Sequence, residues 1–401
     1  MEDRTVRPSR QPLHRNVWFA GFVSLFNDAS SEMVYPLLPI FLTSVLKASR
    51  TSLGVVEGVA EATASLLKVF SGVLSDRFGN RKLPMAVGYG FSLLARPLVA
   101  TAGSWGTVFW ARFLDRAGKG IRTAPRDAVI ADCTPVQSRG RAYGVHRALD
   151  TAGAAVGPGV AILLLSVFAW DIRAVLWASV VPGAVALVFI AFIREQAPPA
   201  PGAGRHSPWR AAAVGGPYRD FLIVTALFTL ANSSDTFLLL KAQSLGLSLG
   251  EVTGAYLAFN LFYAAVAGPI GAFSDRWGKG RVTLLSFFYY GALYEGFALA
   301  SRAWHAVVLL LLYGPFQAVE EGVKKAYLSE LLPADRMASG MGLYHALKGL
   351  ALLPASVLTG FLWDRFGSAA AFGLCAALSA LAGLLFAALL TFRRGGGWGV
   401  R

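Results

Sequence analysis

The chain has 401 residues, of which 55% are hydrophobic and only 15% charged, and it carries a net charge of +14. Soluble domains hold about 25% charged residues, and a globule this apolar has too little polar surface to cover itself. This composition, with a mean hydropathy of +0.52, excludes a disordered chain, a coiled coil and a soluble enzyme, and leaves a polytopic membrane protein.

A helix needs about 20 residues to cross about 30 Å of hydrocarbon. Apolar windows of that length recur near 16–46, 51–75, 82–102, 105–131, 141–168, 172–193, 219–246, 250–273, 281–300, 304–331, 337–363 and 368–392, which predicts twelve transmembrane helices. Backbone amides in lipid need internal partners, and the windows lack the alternation of barrel strands, so the fold class is all-α. The first window is too long, and too interrupted by Asp28 and Glu32, to be a cleaved signal peptide. Residues 1–15 read as a tail, 16–193 as a six-helix bundle, 194–218 as a Pro/Gly-rich linker, 219–392 as a second six-helix bundle and 393–401 as a second tail.

Lys and Arg crowd the segments that share a side with the N-terminus, among them Arg7, Arg77, Arg122, Arg139, Arg205, Lys279, Lys325 and Arg394. The opposite loops hold only Lys47, Arg50, Arg173, Arg302 and Arg365. The positive-inside rule therefore predicts cytoplasmic termini and cytoplasmic tails and linker. The basic excess reads as a topology signal and a contact with anionic lipid, not as a nucleic-acid site. The Ala/Gly/Arg-rich composition suggests a bacterial inner membrane.

The two halves repeat. Gly72-Val-Leu-Ser-Asp76-Arg77-Phe-Gly79 recurs as Gly271-Ala-Phe-Ser-Asp275-Arg276-Trp-Gly278, and the segment Arg126–Pro135 recurs as Lys324–Pro333, at offsets of 199 and 198 residues. Trp170-Asp171 recurs as Trp363-Asp364. Two parallel copies of six spans place a binding site near the membrane midplane, between the halves.

The G-x-x-x-D-R-x-G loop after span 2, repeated after span 8, resembles the hallmark loop of the major facilitator superfamily, and the resemblance covers essentially the whole chain. It implies that Asp76, Arg77 and Arg81, with Asp275 and Arg276, latch the halves at the cytoplasmic face, with Gly72, Gly79, Gly271 and Gly278 shaping the two loops. Asn80 stands where the family usually has a basic residue. Gly144, Gly153, Gly157 and Pro158 in span 5 resemble the antiporter motif of the family's proton-driven exporters, with Ala161 and Ile162 in place of its last two glycines. The residues themselves also fit close helix packing and a kink. Span 4 matches the R-x-x-Q-G-x-G pattern only at Arg112 and Gly118, because Asp115 and Arg116 replace the Gln and the first Gly. The run Phe26–Pro36 resembles a prokaryotic subgroup with no named substrate. The resemblance implies that the chain acts as a monomer.

Ionisable groups at membrane depth are costly, few and usually functional. Asp28 and Glu32 lie one turn apart near the middle of span 1. Two carboxylates so placed in a dry cleft repel, so one of them should hold a proton near neutral pH. Asp28 and Glu32 are the first candidates for proton coupling, with Asp150 and Asp235 behind them and Arg112 or Arg147 as the competing counter-ion. Static ion pairing between helices is the alternative for the same residues, and it is favoured for Asp115 with Arg112 or Arg116. The family resemblance has spans 1, 4, 7 and 10 lining the cavity. Asn27, Tyr35, Arg112, Asp115, Asn232, Gln317 and Glu320 are candidate cavity residues on these spans. Glu61, Arg147, Asn260, His345 and Lys348 join them from neighbouring spans.

Gly246-Leu-Ser248-Leu-Gly250 matches G-x-S-x-G but follows no strand, so it lacks a nucleophile elbow. Two cysteines, Cys133 and Cys375, and five His without metal spacing suggest neither a disulfide framework nor a metal site. No nucleotide-binding fingerprint appears, so no cofactor is expected and energy should come from a gradient. The sequence thus predicts a secondary transporter exchanging a small organic solute for protons. Proton-coupled uptake and a scaffold or sensor without flux are the alternatives.

Overall fold

In lipid a backbone amide must find its partner within its own segment, and each long apolar window folds as a helical rod. The structure is a computed structural model that describes residues 12–78, 80–135, 138–195, 215–333 and 336–395. The first bundle comprises α1 (Arg15–Val34, continued by Leu38–Ile40 and a π turn Phe41–Val45), α2 (Arg50–Phe78), α3 (Lys82–Ala100), α4 (Trp105–Asp132), α5 (Arg139–Ile162 with a π turn Leu163–Val167) and α6 (Ile172–Ala178 and Val180–Ala191). The second comprises α7 (Pro217–Ala231 and Thr236–Ser244), α8 (Leu249–Trp277), α9 (Lys279–Leu299), α10 (Ala303–Ala318, a π turn Val319–Val323 and Lys324–Leu331), α11 (Met337–Phe366) and α12 (Ser368–Gly395). No strand occurs among the described residues. Among the described residues, nine rods qualify as membrane spans by length and composition. The other three, α1, α2 and α4, each carry ionisable residues within their apolar windows, among them Asp28, Glu57 and Arg112.

Several windows expected to be continuous are broken, each for a local reason. Pro36 and Pro39 remove N–H donors, and α1 loosens after Val34. In α7 the chain leaves the helix at Asn232 and re-enters at Thr236, where the Ser234 hydroxyl lies 2.9 Å from the Thr236 hydroxyl. Elsewhere caps set the ends: Ser248 and Glu251 form a reciprocal capping box at the start of α8. Gly278, which separates α8 from α9, has φ +98°, a conformation that favours glycine.

Glycine sets the closest helix contacts. A Cβ on Gly153 would stand 2.2 Å from the Leu25 carbonyl oxygen, and one on Gly157 would stand 2.4 Å from that of Ala29, so α5 lies directly on the α1 backbone. Between the bundles, Gly54 and Gly58 of α2 press the same way on Ser356 and Leu353 of α11.

One face carries the start of α1 and the end of α6, joined by Asn16 and Arg194 at 2.7 and 3.0 Å. At the opposite, far face the bundles touch: the Gln243 amide donates to the Ser44 hydroxyl at 3.1 Å, and Asp364 accepts from Arg50 and Thr51. Towards the terminal face α5 and α8 become exposed. From Leu261 to Gly278 only Ser274 of α8 is buried, and from Arg139 to Ala152 only Ala142 and His146 of α5.

Candidate functional site

The first bundle encloses an ion-pair cluster. The Arg112 guanidinium donates to both Glu57 carboxylate oxygens at 2.9 Å and also pairs with Asp115 at 3.4 Å. Asp115 pairs on its other side with Arg96 at 3.3 Å, and Arg96 donates to the Ser30 and Ser31 hydroxyls at 3.1 and 2.7 Å. All four ionic side chains are buried. A bidentate arginine–carboxylate pair is among the stronger polar contacts, and its partners are fully committed here. In this structure Arg112 and Asp115 bind α2, α3 and α4 together. Arg112 is accordingly not the counter-ion of Asp28.

Asp28 instead meets a group from α5. Its carboxyl neighbours that of Asp150, and the Asn27 amide donates to it at 3.2 Å. Asp150 also pairs with Arg147 at 2.9 Å and stands 3.9 Å from Arg126. The Arg147 side chain is 68% exposed and neighbours Tyr263 of α8 in the other bundle. Glu32, a turn beyond Asp28, accepts a hydrogen bond at 2.7 Å from the Tyr256 hydroxyl on α8, so it bridges the bundles. The Tyr35 ring lies tilted against the same tyrosine, with ring centroids 5.5 Å apart. Glu61 of α2, half-buried, pairs with Arg116 at 3.1 Å.

The second bundle supplies a different set. Asp235 sits at the break in α7 and accepts from the Tyr313 hydroxyl of α10 at 2.8 Å. Asn232, at the same break, accepts from Tyr290 at 3.3 Å. Glu320 lies in the π turn of α10 and bonds both Lys324 and Lys348. Asn260 donates to the Tyr256 carbonyl of its own helix at 3.1 Å. Gln317 is half-buried, and His345 is half-buried with its ring edge-on to Tyr344.

The repeat shows how the bundles differ. Arg81 pairs with Asp132 at 3.4 Å, and the positions 198 residues on, Lys279 and Glu330, pair at 2.6 Å. The same offset relates Asp150 to Lys348 and Arg122 to Glu320. In the second bundle these positions close into the Glu320–Lys348 ion pair at 2.6 Å. In the first, the signs are exchanged and Arg122 turns away, lying over the Tyr89 ring at 4.6 Å, so Asp150 is left to face Asp28.

The expected latch is only partly in view. Gly72, Asp76 and Arg77 lie in the last turns of α2, where nothing beyond the backbone is described, and Gly79 is outside the described residues. Asp275 pairs with Lys279 of its own bundle at 3.2 Å, and Arg276 is exposed. Among the described residues, neither Asp275 nor Arg276 makes an ion pair with the first bundle. Gly271 sits in open space on the exposed part of α8.

Sequence reasoning passed over Arg96, although an arginine inside the apolar window 82–102 was a visible signal. It also passed over Lys119, exposed on α4 and close enough to bear on Asp28, Glu32 and Glu61. Tyr256 and Tyr313 carried no signal, since a tyrosine in an apolar run is usually packing.

Two bundles of six helical rods, with acidic side chains buried at depth, define a polytopic membrane protein. The family model of the Major Facilitator Superfamily matches residues 17–319 and 221–400. An uncharacterised MFS-type transporter of Methanocaldococcus jannaschii is 35% identical over 360 residues, covering 88% of this chain and 89% of that one. The multi-drug resistance efflux pump PmrA of Streptococcus pneumoniae is 25% identical over 332 residues, covering 80% and 81%. Among solved structures, the nucleoside transporter NupG superposes with a TM-score of 0.78 at 13% identity, covering 94% of this chain and 99% of that one. The chain belongs to the Major Facilitator Superfamily and is a multi-pass membrane protein.

Proposed function

We propose that this chain is a proton-coupled exporter of a small organic solute, working by alternating access as a monomer in a bacterial inner membrane. In this reading all twelve rods span the bilayer and both termini are cytoplasmic. The terminal face, where α5 and α8 are exposed, is then the cytoplasmic mouth, and the conformation is inward-open. The observation that carries the proposal is the contact between Asp28 and Asp150. Two carboxyls in contact in a site of low dielectric do not both stay ionised, and the pair holds one proton. When that proton leaves through the open mouth, Arg147 and Arg126 are placed to neutralise the pair. Glu32 then senses the change one turn away, and its bond to Tyr256 carries it to the opposite bundle. Proton occupancy shifts the balance between the two open states only by its differential affinity for them. The efflux pump among the relatives supports export as the direction.

The test is flux in proteoliposomes under an imposed pH gradient, screened over candidate solutes. The wild type accumulates solute against its gradient. Asp28→Asn and Asp150→Asn lose gradient-driven accumulation but keep downhill exchange. Retention of gradient-driven transport in both variants would overturn the assignment, and solute moving with the protons rather than against them would make the protein an importer.

A further inference from the structure

The far gate has one ionic contact between the bundles among the described residues, and it lies at the pole of a helix. The first N–H groups of α2 have no partner within their own helix, and a helix N-terminus favours negative charge. Here Asp364, at the end of α11 in the other bundle, fills that role. Its carboxylate accepts from the Arg50 N–H at 3.1 Å, from the Thr51 N–H at 2.8 Å and from the Thr51 hydroxyl at 2.7 Å, with the Arg50 guanidinium 3.7 Å away.

The repeat shows that this is not the ordinary use of the residue. Its counterpart Asp171 caps its own bundle, accepting from the Ala174 N–H at 2.8 Å at the start of α6. The tryptophans beside them diverge likewise. Trp170 is 44% exposed, whereas Trp363 is buried against Phe237 and Phe372 of its own bundle, with centroids 6.0 and 5.4 Å away. Trp363 thus anchors the end of α11, and the next side chain projects from that anchor onto the opposite bundle. Gly360 allows the approach, since a Cβ there would lie 2.2 Å from the Arg50 carbonyl oxygen.

We propose that Asp364 is a positioning residue of the transport cycle: by capping α2 across the bundle interface it holds the far gate shut, and opening that gate requires α2 to give up this cap. The carboxylate is partly exposed, so water replaces it when the gate opens. The contact therefore sets the balance between states rather than locking one. The inference rests on the alternating-access reading.

The experiment places a reporter cysteine at Gln317 in a background with Cys133 and Cys375 replaced by serine. Labelling by a membrane-impermeant maleimide is timed from the far face of intact cells. Asp364→Ala raises the labelling rate about ten-fold, Thr51→Val gives a smaller rise, and Asp171→Ala leaves the rate unchanged. Asp364→Asn keeps the side-chain shape and falls between wild type and alanine. Labelling that is the same in Asp364→Ala and wild type, or that rises as much in Asp171→Ala, overturns the proposal. Solute flux is measured separately in proteoliposomes. Absence of proton-driven flux in wild type would sink the exporter reading, while the labelling rates still decide the latch.

Discussion

Replacing Glu57 by leucine separates structural ion pairing from transport chemistry. The substitution removes the partner that takes two 2.9 Å hydrogen bonds from Arg112, and it leaves that guanidinium buried. Stranding one member of a buried pair costs about 3–5 kcal/mol. Asp115 remains beside Arg112 at 3.4 Å but is shared with Arg96, so the lower end, about 3 kcal/mol, is expected. For a unit the size of the first bundle, each kcal/mol lowers Tm by about 2–4 °C, giving a fall of about 6–12 °C. Adding Arg112→Met removes the stranded charge and should recover most of that loss, because apolar replacement of a whole buried pair is often neutral. The assay is thermal unfolding of the detergent-solubilised protein, with solute flux measured on the same preparations. A Glu57→Leu variant with wild-type Tm and no transport would refute the static reading and return Arg112 to the solute pathway.

Three further outcomes follow from particular contacts. Gly153→Leu forces a side chain into the Leu25 carbonyl, where even a Cβ would stand 2.2 Å away, so α5 must lift from α1; folded, membrane-inserted protein should be largely lost, as read by detergent size-exclusion chromatography. Tyr256→Phe removes the 2.7 Å bond to Glu32 but keeps the ring on Tyr35, so the protein should stay folded while its rate of proton-driven transport falls, measured by initial flux. Lys279→Ala breaks the pairs with Asp275 and Glu330 at a partly exposed site, and its stability change should stay below about 1 kcal/mol in chemical unfolding.

Much of the architecture was legible in the sequence because a membrane span is a local property. Apolar length, flanking basic residues and the 198-residue repeat each need only neighbouring residues or a self-comparison. The same logic singled out Asp28, Glu32, Asp150 and Asp235, since a carboxylate at depth is conspicuous wherever it occurs. Partnership was not legible. Asp28 meets Asp150, Arg112 meets Glu57, and Glu32 meets Tyr256 through tertiary packing that no spacing encodes. Arg112 matched a family pattern and looked like a cavity residue, yet a carboxylate 55 positions earlier on α2 had already claimed it. The breaks at Val34 and Asn232 were foreshadowed by Pro36 and by the polar run Asn232–Asp235, but hydropathy averages over them.

The central claim is that Asp28 and Asp150 share one proton, and infrared difference spectroscopy on a pH step reads it most directly. The account predicts a single protonated-carboxyl band that disappears as pH rises and is absent from both Asp28→Asn and Asp150→Asn, while Glu57→Gln retains it. A band that persists unchanged in both aspartate variants would contradict the account.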